Sequence, residues 1–277
     1  MSKIRNPSTS RQADHCNWLP AVLDLAREAG DRILAVYNRD IAVRRKDDST
    51  PVTAADLAAH QILIDGLSFL TPDLPVLSEE SKHIPFEERT RWRRYWLVDP
   101  LDGTREFINR NGQFTVNIAL IEDHEPVMGV VLVPTTGVCY YACRGEGAFR
   151  QASSETIPEP IHSRPFRGDC LVVAGSRSHG TEALQRFLDN LPTCEVVSLG
   201  SALKSCLVAE GKVDLYPRLG PTSEWDTAAA QCVVEEAGGA VTNVRMERLR
   251  YNTKRSLLNP HFFVSGDPRR DWSRFLF

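Results

Sequence analysis

Trp96-Leu97-Val98-Asp99-Pro100-Leu101-Asp102-Gly103-Thr104 is an apolar run that stops abruptly in two aspartates and a glycine-threonine pair. The run predicts a buried strand, and Pro100, which cannot donate to a sheet ladder, is expected to turn the chain out of the sheet just after Asp99. Two carboxylates are thereby delivered to one turn. Gly103 and Thr104 then open a short predicted helix, whose first N–H groups have no partner within the chain and whose dipole favours an anion. Acids able to hold a cation stand beside donors able to hold a phosphate, which is the layout of metal-assisted phosphoryl chemistry. Taken alone, Asp99 and Asp102 could equally be a strand end and a helix cap, because Asp is favoured in turns for local hydrogen-bonding reasons.

The surrounding composition narrows the choice. A chain of 277 residues, 42% hydrophobic and 25% charged, can bury a large core in one or two lobes. A net charge of −3 leaves no global footprint for nucleic acid, and the one dense basic cluster, Arg91-Trp92-Arg93-Arg94, reads as a solvated turn before a strand. The seven cysteines, Cys16, Cys139, Cys143, Cys170, Cys194, Cys206 and Cys232, form no C-x-x-C pair and read as small apolar residues of a reducing compartment. No apolar run is long enough to span a membrane. Met1 to Asn17 lacks the apolar stretch of a signal peptide, so residues 1–17 are expected to be a disordered tail on a cytoplasmic protein. The pattern is equally compatible with a peripheral place at the cytoplasmic face of an inner membrane.

Working outward, Leu19, Val22, Leu23, Ala26, Ala29, Ile33 and Tyr37 recur at helical spacing, and a second helix is expected from about Ala54 to Leu70, stopped by Thr71-Pro72. Phe114, Val116, Ile118 and Leu120 alternate with Thr115, Asn117 and Ala119, which predicts a half-buried strand; the apolar stretches 127–133 and 138–142 continue an antiparallel meander. Residues 151–168 carry Ser, Pro and Glu without period and read as a connection between an N-terminal lobe, 18–150, and a C-terminal lobe, 169–277. In the latter, strands at 171–174, 195–199 and 213–216 alternate with helical stretches at 180–191, 201–210 and 225–237. Strands clustered first and alternating later predict layered sheets with helices between and outside them.

Further acids then stand out. Val76-Leu77-Ser78-Glu79-Glu80-Ser81 repeats the design of a short apolar run releasing carboxylates, though it could be an exposed acidic turn. Asp226 begins an alanine-rich helix, where a cap is the ordinary explanation, and Asp56 lies in a first helical turn, where acids stabilise helices without any other role. Each of these is weak alone.

Their combination is informative. Pro51-Val52-Thr53-Ala54-Ala55-Asp56, Leu77-Ser78-Glu79-Glu80 and the block Trp96 to Leu120, with Asp99-Pro100-Leu101-Asp102-Gly103-Thr104-Arg105-Glu106-Phe107, closely resemble the inositol monophosphatase superfamily. Ser176-Arg177-Ser178-His179, Gly200-Ser201-Ala202-Leu203-Lys204, Leu215-Tyr216-Pro217-Arg218 and Trp225-Asp226-Thr227-Ala228-Ala229 extend the resemblance over nearly the whole chain, Leu19 to Val264. Within the superfamily the chain is most similar to the bacterial 3'(2'),5'-bisphosphate nucleotidase branch of cysteine and sulfate metabolism. The resemblance implies an α+β fold, a layered αβαβα sandwich, and a magnesium-dependent, lithium-sensitive phosphomonoesterase.

Such a site has a physical logic. Two carboxylates about 4 Å apart repel by about 4 kcal/mol at an effective dielectric near 20, so several converging acids need cations between them. A ligand set of oxygens alone, without His or Cys, suits Mg2+ rather than zinc. By resemblance, Glu79, Asp99 and the Leu101 carbonyl hold one Mg2+, while Asp99, Asp102 and Asp226 hold a second, with Asp99 bridging. A third, weaker ion near Glu79 is implied as well. The resemblance further implies that Thr104 and Asp56 orient and deprotonate the attacking water, with Glu80 as a competing candidate base.

Substrate contacts are implied for Glu79, Leu101, Asp102, Gly103, Thr104 and Asp226, and for His179, Ser201, Lys204 and Arg218 on the nucleotide side. Ser201 and Lys204, three apart at the start of a predicted helix, share a face, and Arg218 ends a strand; a second phosphate needs such donors. The expected substrate is therefore 3'-phosphoadenosine 5'-phosphate, or its sulfated analogue, giving AMP and phosphate from the former. A sister phosphatase acting on inositol monophosphate or a sugar bisphosphate is the alternative, and a non-catalytic nucleotide or metal sensor is a third reading of another class. The expected partner is a phosphorylated nucleotide, on a monomer or homodimer. Two departures are evident: Arg105 stands where relatives carry a lysine, and Glu224 adds an acid beside Trp225-Asp226 that puts the substrate contacts there in question. Lys46-Asp47-Asp48-Ser49-Thr50 reads as a hydrophilic flap over the site.

Overall fold

The computed structural model describes residues 15–38, 43–45, 51–152, 157–176 and 181–276, with backbone alone at 43–45, 51–53 and 176. The first half of the chain forms helix α1 (Leu19–Tyr37), hairpin strands β1 (Val43–Arg45) and β2 (Pro51–Thr53), α2 (Ala54–Leu70), β3 (Val76–Ser78), one-turn α3 (Phe86–Arg89), β4 (Arg94–Asp102) and α4 (Thr104–Ile108). A meander follows, of β5 (Thr115–Glu122), β6 (Glu125–Val133), β7 (Val138–Cys143), β8 (Gly147–Gln151) and β9 (Glu159–Ile161). The second half contains β10 (Leu171–Ser176), α5 (Glu182–Asn190), β11 (Cys194–Leu199), α6 (Leu203–Ala209), β12 (Leu215–Arg218), α7 (Glu224–Glu236), β13 (Ala240–Asn243) and β14 (Phe262–Ser265).

Strands β3 to β9 form a seven-stranded sheet in sequence order, antiparallel except for the β3–β4 pair. A five-stranded sheet has the order β11-β10-β12-β14-β13, with β10 parallel to both of its neighbours. Three apolar layers hold these sheets. Val22, Ala26, Ala29 and Ile33 of α1, with Ala55, Ala59 and Leu63 of α2, close one face of the seven-stranded sheet against Val98, Val116, Ile118 and Leu120. Its other face, through Leu97, Ala119 and Val131, packs on α6 and α7 and, beyond them, on β12 and β14. Phe187 of α5 then covers Leu171, Leu215 and Phe263 on the outer face of the smaller sheet. The layers run αβαβα, as the sequence predicts. Fully burying one Val, Leu or Ile contributes about 1.5–3 kcal/mol, so the three layers together supply the main stabilisation. Among the described residues no helix is long and apolar enough to cross a membrane.

Four expectations change. Strand β5 is buried on both faces rather than one, because α7 lies across the side that carries Thr115, Asn117 and Ala119. That close approach depends on Gly129 in β6: a Cβ there would stand 2.1 Å from the Ala229 carbonyl oxygen in α7. The segment 151–168 is more than a connection, since Glu159–Ile161 adds the last strand of the large sheet. At the amino end, His15 is buried and Cys16 packs against the α1/α2 layer, so order extends into the segment expected to be a tail; residues 1–14 lie outside the described residues. Finally, Cys16 is joined to Cys143 by a disulfide, in place of seven free thiols. The two cysteines are 127 residues apart in sequence, and packing of the chain just before α1 against the cluster that includes the end of β7 brings them together.

Candidate metal centre and cavity

Pro100 does not take the chain out of the sheet. It lies in a bulge: Asp99 pairs with Asn117 and Asp102 with Thr115, so three steps along β4 match two along β5. Strand side chains alternate, and the extra residue places both aspartates on one face. Gly103, at φ +92°, then turns the chain into the five-residue helix α4, a backbone conformation that L side chains rarely adopt. From the other half of the molecule, α7 arrives with Asp226 in its first turn. Asp226 Oδ2 accepts the Ser223 N–H at 3.0 Å in a capping box. Asp226 is thus both the cap that its position suggested and a member of the acid group, since carboxylate oxygens of Asp99, Asp102 and Asp226 lie within 4.8 Å of one another.

Charge repulsion in this group is severe. Burial, then Glu79, Asp102, Asp226 and Asp56 all push the Asp99 carboxyl well above the usual range. Asp226 is raised by burial, Asp102 and Glu79, against the opposing Ser223 N–H. Asp102 is raised by burial too, but Lys204, the Ala202 N–H and Asn117 work in the other direction. Every donor in the set is an oxygen, and the acids are held close by sheet and helix rather than free to separate. A hard divalent cation fits that arrangement, and Asp99, Asp102 and Asp226 could hold one.

Beside the acids lies a cavity of about 330 Å³, whose lining includes Asp102, Gly103, Thr104 and Asp226 together with Ser201, Lys204 and Arg218. The structure therefore brings most of the expected site residues into one place. Ser201 is not part of a helix: at φ +48° it forms a left-handed turn before α6, and its Oγ is buried with no hydrogen-bond partner among the described residues. Lys204 is buried; its Nζ donates to the Ser201 carbonyl at 2.6 Å, more weakly to Leu199 at 3.4 Å, and lies over the Tyr216 ring. Burial brings its ammonium down to about 8, against the pull of Asp102. Arg218 gives Nε to Thr222 Oγ1 at 2.7 Å and Nη2 to the Pro221 carbonyl at 2.8 Å. Leu101 buries its side chain in the α1/α2 layer while its N–H donates to Asp99 Oδ1 at 3.0 Å.

Residues 15–268 match the model of the inositol monophosphatase family. The chain belongs to that family. It is 49% identical over 249 residues to the 3'(2'),5'-bisphosphate nucleotidase CysQ of Salmonella typhimurium, which covers 89% of this chain and 99% of the relative. The CysQ crystal structure from Bacteroides thetaiotaomicron, 40% identical, superposes with a TM-score of 0.78 over 88% of this chain and 95% of its own. An inositol monophosphatase of Thermotoga maritima, 25% identical, does so with the same TM-score over 94% and 96%.

Asp56 and Glu80 differ in what surrounds them. Asp56 is buried and is one of the charges acting on Asp99, whereas Glu80 is half-buried and acts on His60. Glu224 does not line the cavity. It is buried, accepts the Asn252 N–H at 2.7 Å and faces Lys254 Nζ at 3.9 Å, and burial lifts its carboxyl to about 7. The added acid therefore stands outside the cavity that Asp226 lines. His179 and the 46–50 segment lie outside the described residues. The sequence does not single out Thr115, Asn117, Tyr216 or Thr222; Thr115 and Asn117 alternate with the apolar residues of β5, and only the approach of α7 turns that polar side into an interior that has to be satisfied.

Proposed function

We propose that this protein is a Mg2+-dependent 3'(2'),5'-bisphosphate nucleotidase that removes the 3'-phosphate of 3'-phosphoadenosine 5'-phosphate to leave AMP. One observation carries the reading: a single cavity is lined by two of the converging carboxylates, Asp102 and Asp226, together with Ser201, Lys204 and Arg218. An uncharged polyol ring gives such cations nothing to neutralise, whereas a second phosphate does. The names of the curated relatives point to the same activity.

Glu79, Asp99 and the Leu101 carbonyl would hold one Mg2+ and Asp99, Asp102 and Asp226 a second, with a weaker third near Glu79. Bound there, the ions neutralise phosphate oxygens and make water more acidic. The N–H groups of Gly103 and Thr104, both residues of the cavity wall, would receive the scissile phosphate. Thr104 and Asp56 orient the attacking water, and Asp56 receives its proton; its charge is felt at Asp99, which favours it over Glu80 as the base. Of the three Lys204 donors, two are given to carbonyls, leaving one for the second phosphate.

The test is phosphate release in Mg2+ from 3'-phosphoadenosine 5'-phosphate, its sulfated analogue, AMP, inositol 1-phosphate and fructose 1,6-bisphosphate. The bisphosphate nucleotide is expected to have the highest kcat/KM. Preference for inositol phosphate would overturn the nucleotide assignment, and ligand binding without turnover of any of the five would make the protein a sensor.

A further inference from the structure

Thr115 and Asn117 of β5 are buried, at 0% and 1% exposure, where a hydroxyl and an amide are costly unless they are used. Antiparallel pairing sets them opposite Asp102 and Asp99. Thr115 Oγ1 and Asn117 Nδ2 stand 3.4 Å from the same atom, Asp102 Oδ2. Each contact is long, but the two converge on one oxygen from one strand. They also orient the amide, because a reversed Asn117 would set its carbonyl against a carboxylate oxygen with no hydrogen between them. Asn117 Oδ1 is then left as a buried acceptor with no hydrogen-bond partner among the described residues. Rotation of the Asp102 carboxylate would break both contacts at once.

We propose that Thr115 and Asn117 are positioning residues of the cation site. From the strand side they fix Asp102 Oδ2, keep the other carboxylate oxygen available to a divalent cation, and offer Asn117 Oδ1 as an acceptor for an ordered water in the same layer. The inference rests on reading Asp102 as a cation ligand. Outer partners that orient a ligand in this way typically contribute about 10- to 100-fold to metal affinity.

Direct binding of Mn2+ alone to the full-length protein, followed by electron paramagnetic resonance, tests this without any substrate. Asn117→Leu and Thr115→Val preserve size and remove the donors. Folded by circular dichroism, they are expected to bind Mn2+ about 10- to 100-fold more weakly, and Thr115→Ser, which keeps a hydroxyl, to restore affinity. In turnover the loss should appear as a raised Mg2+ requirement that excess metal overcomes, with the nucleotide KM little changed. Should Asn117→Leu not fold, Thr115→Val and Thr115→Ser decide the question. Unaltered Mn2+ affinity in the folded variants would overturn the proposal, whereas wild-type protein that binds no Mn2+ would instead overturn the metal reading beneath it.

Discussion

At the acidic end of the site, carboxylates are fixed by local hydrogen bonds of 3.0 Å: Asp99 by the Leu101 N–H and Asp226 by the Ser223 N–H. At the basic end, Lys204 gives two of its three donors and Arg218 two of its five to carbonyls and a hydroxyl of neighbouring loops. The acids repel one another until a cation arrives, whereas Lys204 and Arg218 are anchored by neighbouring loops and still keep N–H donors for a ligand. The acids should therefore govern metal binding and turnover, and the basic wall should govern which phosphate ester is chosen.

The largest expected effect tests the acidic end. Asp99→Asn should reduce kcat by about 10³-fold or more, since even one electrostatic donor in such a site carries about 10²–10³. Thermal melting in EDTA should show the variant at least as stable as wild type, because the amide cannot take the buried charge that burial and four neighbouring acids oppose. Normal turnover would end the contrast between the two ends. Lys204→Ala probes the basic end. Losing one charge-assisted donor corresponds to about 10- to 100-fold, expected in the KM for the bisphosphate and far less in that for a monophosphate. Equal rises for both substrates would mean that the lysine serves the Ser201 turn rather than the ligand. The smallest effect concerns what holds the ends together. Gly129→Ala forces α7 off β6 and should lower stability by about 1–3 kcal/mol in denaturant titrations, with weaker Mn2+ binding as Asp226 shifts. Unchanged stability would show that α7 can move without consequence.

Much of this was legible in the residues. Helix α1 matches its apolar spacing to the residue, and the carboxylates of Asp99, Asp102 and Asp226 were identifiable as breaks after apolar runs or at helix starts. What escaped depends on tertiary approach. Alternation along 114–120 describes one strand correctly, but nothing local says that a helix from a hundred residues later will cover its polar side. Pro100 reads as an exit because a proline lacks its N–H; that β5 would accommodate it with a bulge follows from pairing two strands. Lys204 and Arg218 were visible as charges, while the carbonyls and hydroxyl that occupy them belong to turns whose geometry no residue pattern specifies.

The link between Cys16 and Cys143 closes α1, α2, the acidic turn and the first three strands of the meander into one covalent ring. A protease that cuts once anywhere inside that ring therefore releases no fragment. The nicked chain would migrate as a single species on a denaturing gel until a reductant is added, when two pieces part.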